Sequence, residues 1–263
     1  MNTTPKKRHG LSKSRILLHQ QCPKRLWLKV HRPELEEIDD SNQARFTTGT
    51  QVGELAQQLY PEGVLINGDD LAQALIDTQE AMVGEKRPIF EATFQADGLL
   101  IRADLLLPDN DGYRMVEDKS STHVKDYYLA DAAIQSWVAQ QANLPIKSIE
   151  IAHIDNTFVY AGDDDYQNLF KHVDIGEQIA GMKNKVPEWM NAARETLGGD
   201  EPNISAGKQC NSPFTCSFLS YCSPQAENMG GYAPEILPYK GTLAQTLREE
   251  GYTDLRDVPE ARL

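Results

Sequence analysis

The sequence predicts an α/β protein whose mixed central sheet is flanked by helices, and three observations lead to this fold class. Three segments rich in apolar and β-branched residues, 88–95, 99–107 and 113–121, follow one another with short turns between them, as strands of a meander do. Longer segments with helical spacing of apolar residues lie before and after them. The composition, 40% hydrophobic and 25% charged, is that of an ordinary globular domain.

The helices expected before the meander begin close to the N-terminus. Residues 11–30 have helical periodicity, and Ser12 or Ser14 is suited to cap the helix at its start. Further helices are predicted at 44–60 and 69–83, where apolar residues again recur at helical spacing.

Turn residues separate the predicted strands. The sequence Ala-Asp-Gly at 96–98 stands between the first two strands, and Asp-Gly between two apolar runs is a strong hairpin signal. A second turn is predicted at 109–112. A helix at 126–141, a strand region at 146–160 and a helical segment at 166–197 follow. The order of helix, meander, helix and strand predicts a mixed sheet.

Charge is distributed unevenly along the chain. The net charge is −13, yet residues 1–32 contain nine Lys and Arg residues and no Asp or Glu. A basic arm on an acidic body is suited to an anionic partner bound at one place, with Lys24 and Arg25 as candidate nucleic-acid contacts. A solvated terminus is the alternative. Because no run of about 18 apolar residues and no signal-peptide core occur, we expect no membrane association and a cytoplasmic location.

Two carboxylates and a lysine are the most informative polar residues of the meander. Asp104 precedes Glu117 by thirteen residues, and Lys119 follows on the same face of its strand as Glu117. Charges that converge in an apolar sheet need a partner, and a hard cation such as Mg²⁺ or Mn²⁺ would supply it. Asp118 would then offer its backbone carbonyl while its side chain points away. The alternative is a salt-bridged pair on an exposed sheet face.

The four cysteines lie at the two ends of the predicted domain. Cys22 follows the basic arm, and Cys210, Cys216 and Cys222 are separated from one another by five residues each. In a cytoplasmic chain, metal binding is a better interpretation of such cysteines than disulfide bonds. A four-thiolate site would join the ends of the chain.

Asp104 and Glu117-x-Lys119, followed by a helix that carries Gln135, resemble the RecB-like branch of the PD-(D/E)xK nucleases. The resemblance implies a restriction-endonuclease-like core, an active-site role for Gln135, and Mg²⁺ or Mn²⁺ held by the two carboxylates and the Asp118 carbonyl. Related exonucleases often carry a metal-binding His four residues after a Gly. Here Gly follows Gly at that spacing, so Glu54, the next residue, is a candidate ligand and the number of metal ions stays open.

The cysteine arrangement is similar to that of the CRISPR-associated RecB-like exonucleases and the AddB family. In those families one N-terminal and three C-terminal cysteines hold a 4Fe–4S cluster. The resemblance implies the same role for Cys22, Cys210, Cys216 and Cys222. The spacing C-x5-C-x5-C departs from the usual C-x2-C-x5-C, so Zn²⁺ is kept as the alternative. In either case the metal would be structural.

The opening residues also resemble those of uncharacterised bacterial RecB-like putative nucleases, and the resemblance covers roughly residues 10–225. It implies a nuclease domain at 11–225, and the sequence pattern predicts a flexible basic leader at 1–10 and a short helical tail at 226–263. Because many such proteins continue further, the tail is interpreted as the start of a missing C-terminal domain, and a protein partner is the alternative.

The leading hypothesis is a metal-dependent nuclease, specifically an exonuclease acting on DNA that is single-stranded or has free ends. A non-catalytic DNA-binding adaptor with a degenerate site is the second hypothesis, and a zinc- or cluster-bearing redox protein is the third. Tyr127 and Tyr128 are candidates for stacking on bases. Glu91 is either a further acidic contributor to the site or a solvent-facing strand residue.

Overall fold

The computed structural model describes residues 10–37, 40–223 and 242–262, together with Tyr232, Pro234 and Leu237; of residues 40–47, 242, 245 and 261 it describes the backbone only. Nearly all of the predicted leader and part of the predicted tail therefore lie outside the described residues.

The described strands form one mixed sheet. They are β1 (Leu11–Ser12), β2 (Val64–Leu65), β3 (Ile89–Ala96), β4 (Leu99–Asp109), β5 (Gly112–Lys119), β6 (Ile146–Ile154) and β7 (Phe170–Asp174). Their order is β2-β3-β4-β5-β6-β7, and β1 pairs with β4. The pairs β3–β4, β4–β5 and β6–β7 are antiparallel, whereas β1–β4, β2–β3 and β5–β6 are parallel. The predicted mixed α/β class is therefore confirmed.

Helices flank this sheet. They are α1 (Lys13–Gln21), α2 (Pro23–His31), α3 (Asp40–Gln58), α4 (Leu71–Ala81), α5 (Asp126–Gln141), α6 (Gly176–Lys183), α7 (Val186–Gly198), α8 (Leu219–Cys222) and α9 (Thr242–Glu249). Short 3₁₀ helices occur at Pro33–Leu35, Lys208–Cys210, Leu255–Asp257 and Glu260–Arg262. Within the part of the chain that is described, none of the helices has the length and apolar character needed to cross a bilayer.

The meander of β3, β4 and β5 follows the prediction closely. Asp97 and Gly98 have φ values of 46° and 71°, as the two-residue hairpin turn with positive φ at both positions requires. Asn110, with φ 46°, opens the second hairpin. The turn residues therefore set the register of β4 against both neighbours.

The predicted N-terminal helix at 11–30 is wrong in two respects. Residues 11 and 12 pair with β4 as a short strand, and the helical part is broken in two at Cys22, whose backbone is extended with φ −164°. Pro23 explains the break, because a proline pushes the residue before it out of the helical region. Ser12 is confirmed as the cap of α1, since its Oγ accepts a hydrogen bond of 3.3 Å from the Arg15 backbone N–H.

The predicted helical segment at 166–197 is wrong in its first part. Residues 170–174 form β7, which pairs with β6 at the edge of the sheet. The helix that follows divides into α6 and α7. Pro187 lies in the first turn of α7, where a proline costs no hydrogen bond, so it begins a helix rather than interrupting one. The strand predicted at 146–160 ends at Ile154.

Apolar residues are buried on both faces of the sheet. The main core lies between the sheet and helices α1, α5, α6 and α7, and it includes Met115 of β5. Val116, the next residue, packs on the other face in a second cluster with Leu105 and Tyr60. Neighbouring residues of a strand face opposite sides, so β5 separates the two clusters.

Candidate active site

The candidate site lies where β4 and β5 separate. Their pairing ends at Leu105 and Val116, and β5 continues alongside β6 as far as Lys119. The space beside the first half of β4 is taken by β1, in which Ser12 pairs with Leu100. The N-terminal segment therefore enters the sheet at the fork, next to the residues that the sequence singled out.

Glu117 is the centre of a network of hydrogen bonds. Its side chain is buried, with 5% of the residue exposed, so the alternative of an exposed pair does not describe it. Lys119 Nζ lies 2.5 Å from Oε1, and Lys13 Nζ lies 3.0 Å from Oε1 and 3.1 Å from Oε2. Gln135 Nε2 donates a further hydrogen bond to Oε2. The structure thus brings together Glu117, Lys119 and Gln135, as predicted.

Asp131 belongs to the same network, and sequence analysis missed it. It is buried on α5, one turn before Gln135, whose Nε2 lies 3.3 Å from Asp131 Oδ1. Lys13 Nζ lies 2.9 Å from Oδ1, and Lys119 Nζ lies 3.4 Å from Oδ2. The spacing of four residues from Gln135 places both side chains on one helix face. An acidic residue in an alanine-rich helix was the available signal.

Asp104 reaches across the fork toward the backbone of β5. Its Oδ2 accepts a hydrogen bond of 3.2 Å from the Asp118 backbone N–H. In a strand, the N–H and C=O of one residue face the same neighbouring strand. The Asp118 carbonyl therefore faces β4, as its N–H does. The Asp118 carboxyl lies close to α3, near Gly53.

The alternation of side chains shifts by one residue near Asp104. In β4, Ala103 packs into the main core, whereas Leu105 packs into the second cluster. Residues two apart normally share a face of the sheet, so the alternation of side chains is shifted at Asp104. The same change occurs in β3 across Glu91, which the neighbouring pairs place opposite Asp104. Glu91 has a left-handed φ of 56°, a conformation that is uncommon for a residue with a side chain. A strict period of two does not hold at this point.

The ionisation of Glu117, Asp104 and Asp118 differs with their partners. Burial by itself would raise the pKa of Glu117, but Lys119 and Lys13 outweigh it and hold the pKa well below its usual value. Burial raises the pKa of Asp104 well above its ordinary value, and the charges of Glu117 and Asp118 add to this. Burial and then Glu117 raise the pKa of Asp118 too. Asp104 and Asp118 therefore lose their protons at higher pH than isolated carboxyls do.

The two lysines keep their charge inside the cluster. Burial opposes the ammonium form of Lys119, but Glu117 and Asp131 outweigh it and raise the pKa well above its ordinary value. Burial likewise opposes the charge on Lys13, and Asp131 and Glu117 again raise the pKa. Both side chains are therefore cations at neutral pH.

The donor set fits a hard divalent cation. Asp104, Glu117, Asp118 and Asp131 carry four negative charges when ionised, and Lys13 and Lys119 carry two positive ones. The two charges left over equal those of one Mg²⁺ or Mn²⁺, and carboxylate and carbonyl oxygens are the ligands such ions prefer. Among the described side chains, no three of His, Cys, Asp or Glu already stand as a complete ligand group.

Glu54, the candidate ligand on α3, lies outside this cluster. Its side chain is exposed, and the residue that faces the site is its neighbour Gly53. A Cβ atom at Gly53 would lie 3.7 Å from Asp118 Oδ2. Glu91, by contrast, is half-buried and close enough for Asp118 and Glu117 to influence its ionisation. Burial raises the pKa of Glu91, so of the two further candidates it is the one near the site.

Comparisons with known proteins give little beyond this geometry. No family model and no curated protein matches the chain. The chain is similar to the crystal structure of SSO0001, with 13% identity over 84% of this chain and 89% of that chain and a TM-score of 0.40. A similarity of this size assigns neither a family nor a function.

The four cysteines line one small cavity between the N-terminal helices and the C-terminal segment. All four are free thiols, and Cys210 and Cys216 pack with Leu28 and Phe218 in an apolar cluster. The Cys216 backbone N–H donates a hydrogen bond of 2.7 Å to the Cys210 carbonyl. Burial raises the pKa of Cys216 and of Cys222, so without a metal these thiols stay protonated at neutral pH.

The candidate nucleic-acid contacts are less open to solvent than predicted. Lys24 and Arg25 line the cysteine cavity, and Lys24 Nζ lies 2.9 Å from Glu201 Oε1. Tyr128 is only 8% exposed and lies under Lys119, whose Nζ is 5.4 Å from the ring centroid. Tyr127 is half-buried against Phe214. Tyr128 therefore packs inside the protein instead of presenting its ring for stacking.

Proposed function

We propose that the chain is a divalent-metal-dependent deoxyribonuclease of the PD-(D/E)xK type, acting as an exonuclease on DNA that is single-stranded or has free ends. The observation that supports it is the group of six ionisable side chains at the fork between β4 and β5, in which negative charge exceeds positive charge by two once all four carboxyls are ionised. Buried charge without a counterion is costly. A cluster that served only stability would be expected to carry equal numbers of positive and negative charges when fully ionised.

Asp104, Glu117 and the Asp118 carbonyl would hold the cation. When bound, such an ion polarises a phosphodiester oxygen and lowers the pKa of a coordinated water. Lys119 remains protonated, so its ammonium group donates hydrogen bonds to the attacking water or to the phosphate as negative charge develops. Asp131 and Gln135 hold Lys119 and Glu117 in position through the contacts described above. The chain itself thus supplies ligands, one hydrogen-bond donor and the residues that orient them.

A nuclease assay tests the proposal directly. End-labelled single-stranded and double-stranded DNA are incubated with Mg²⁺ or Mn²⁺ and the wild-type chain, Asp104→Asn or Lys119→Met. Loss of an electrostatic donor or ligand should lower the rate on the order of 10²–10³-fold. Lys147→Met is the matched control, because it removes an ammonium group paired with Asp111 in an exposed ion pair. Equal degradation by wild type and both site variants would refute the proposal.

A non-catalytic DNA-binding adaptor is the second candidate. The specific observation in its favour is that lysine and glutamine donors already engage both oxygens of Glu117. An adaptor should bind labelled DNA in an anisotropy assay and leave it intact with every divalent cation tested.

We also propose that the four cysteines hold a structural 4Fe–4S cluster, with Zn²⁺ as the alternative. The support is that all four cysteines line one cavity, and four thiolates suit either metal. Free thiols agree with the reducing cytoplasm that we propose as the protein's location. Anaerobically purified protein should be brown and rich in iron; colourless protein with one equivalent of zinc would identify the alternative.

A further inference from the structure

Lys13 contacts the candidate site although it lies 104 residues before Glu117 in the sequence. It is the first residue of α1 and directly follows β1. The pairing of Leu11 and Ser12 with β4 fixes the backbone on one side, and the buried Ile16 fixes it on the other. Only the flexible stem of the lysine is free to move its ammonium group.

The ammonium group of Lys13 occupies the chelating position of Glu117. Its Nζ lies 3.0 and 3.1 Å from the two carboxylate oxygens and 2.9 Å from Asp131 Oδ1. Oε1 also accepts from Lys119, and Oε2 also accepts from Gln135. A carboxylate has about four lone-pair positions, so Glu117 has none left for a metal ion. A cation that binds Glu117 must take the position of one donor.

Lys13 is the donor best suited to leave. Lys13 contacts both oxygens of Glu117, as a chelated cation would, whereas Lys119 contacts Oε1 and Gln135 contacts Oε2. When it leaves Glu117, Lys13 keeps its second partner Asp131, so its charge is never without a counterion. Repulsion between an ammonium group and a divalent cation opposes their presence at one carboxylate.

We propose that Lys13 is a displaceable counterion of the metal site: it neutralises Glu117 before the divalent cation binds, and it lowers the affinity for that cation. The inference rests on the proposed function, since it requires a cation at Asp104 and Glu117. Lys13 then acts through Glu117 and not on the substrate, and it sets the concentration of divalent metal at which the site is filled.

The test measures Mn²⁺ affinity by electron paramagnetic resonance of the free ion, with the full chain and no DNA. Lys13→Met removes the charge and keeps the length of the side chain, so the dissociation constant should fall at least about tenfold. Lys13→Arg keeps the charge and pairs more firmly with two carboxylates, so the constant should rise. Lys147→Met, the control, should leave the constant unchanged, and Glu117→Gln should abolish binding.

The outcomes separate this inference from the proposed function. If wild type binds Mn²⁺, Glu117→Gln does not, and Lys13→Met binds with wild-type affinity, the counterion role is wrong while the metal site stands. If no variant binds Mn²⁺, both are wrong. Circular dichroism establishes that each variant is folded. Should Lys13→Met fail to fold, Lys13→Arg decides alone: an unchanged or lower dissociation constant overturns the inference.

Discussion

Replacing Asp104 with Asn should stabilise the metal-free protein and at the same time remove its response to divalent cations. The amide keeps an oxygen that accepts the Asp118 backbone N–H, which now bonds to Asp104 Oδ2 over 3.2 Å. Its NH₂ group donates hydrogen bonds to nearby carboxylates, where the native carboxylate repels them. The substitution thus removes a buried negative charge without leaving a backbone donor unpaired.

The sign of the effect follows from the raised pKa of Asp104, which has burial as its main cause and the charges of Glu117 and Asp118 as the next. A carboxyl whose folded pKa exceeds its unfolded pKa favours folding at low pH and loses that contribution as pH rises. A buried polar group without adequate partners costs about 1–3 kcal/mol, and a charged one costs more. Because the introduced amide still lies among other charges, we expect a gain of about 2 kcal/mol, which raises Tm by about 4–8 °C.

Thermal unfolding between pH 4 and pH 8, with and without Mg²⁺, measures both effects. The advantage of Asp104→Asn should grow as pH rises above about 4, and added Mg²⁺ should stabilise the wild type alone. Asp111→Asn is the control, because Lys147 lowers the pKa of this exposed residue and no gain is expected. A lower Tm for Asp104→Asn at pH 7.5 without metal, or equal Mg²⁺ stabilisation of both proteins, would refute this account.

Three further predictions concern the metal, the cysteine cavity and a tight turn. Stabilisation by Mg²⁺ should be greater at pH 8 than at pH 5.5, because Asp104 and Asp118 have raised pKa values and the metal must compete with protons for them. Equal shifts in Tm at both pH values would contradict this. Cys22→Ser should lower Tm and remove visible absorption from iron-loaded protein, since the cavity would lose one of four thiols; unchanged absorption would exclude Cys22 as a ligand. Gly112→Ala should cost about 1–3 kcal/mol in urea unfolding, since its Cβ would lie 2.2 Å from the Pro145 carbonyl oxygen; unchanged stability would show that the turn relaxes freely.

Local sequence signals were enough to predict the turns and helices around the meander. Asp97 and Gly98 form the predicted hairpin turn, and α5 has the predicted bounds of 126–141. The strand β7 was missed because residues 170–174 have the length and polarity of an edge strand. Such a strand is recognised by its partner β6 rather than by its own pattern.

The candidate site likewise contains residues whose proximity could be predicted from the sequence and residues whose position could not. Glu117 and Lys119 are two residues apart on one strand, and a short hairpin brings Asp104 next to them, so covalent connection over a few residues was sufficient to predict their proximity. The placement of Lys13 depends instead on β1 pairing with β4 and on where β4 and β5 separate. Alternation also failed at Asp104, because a left-handed residue on the neighbouring strand shifts the phase of both strands. The sequence by itself determined that Glu117 and Lys119 share one face of β5 and that Asp104 lies across a hairpin from them. Only the tertiary structure decided that Lys13 lies between Glu117 and Asp131. That position depends on contacts across about a hundred residues, which no local periodicity encodes.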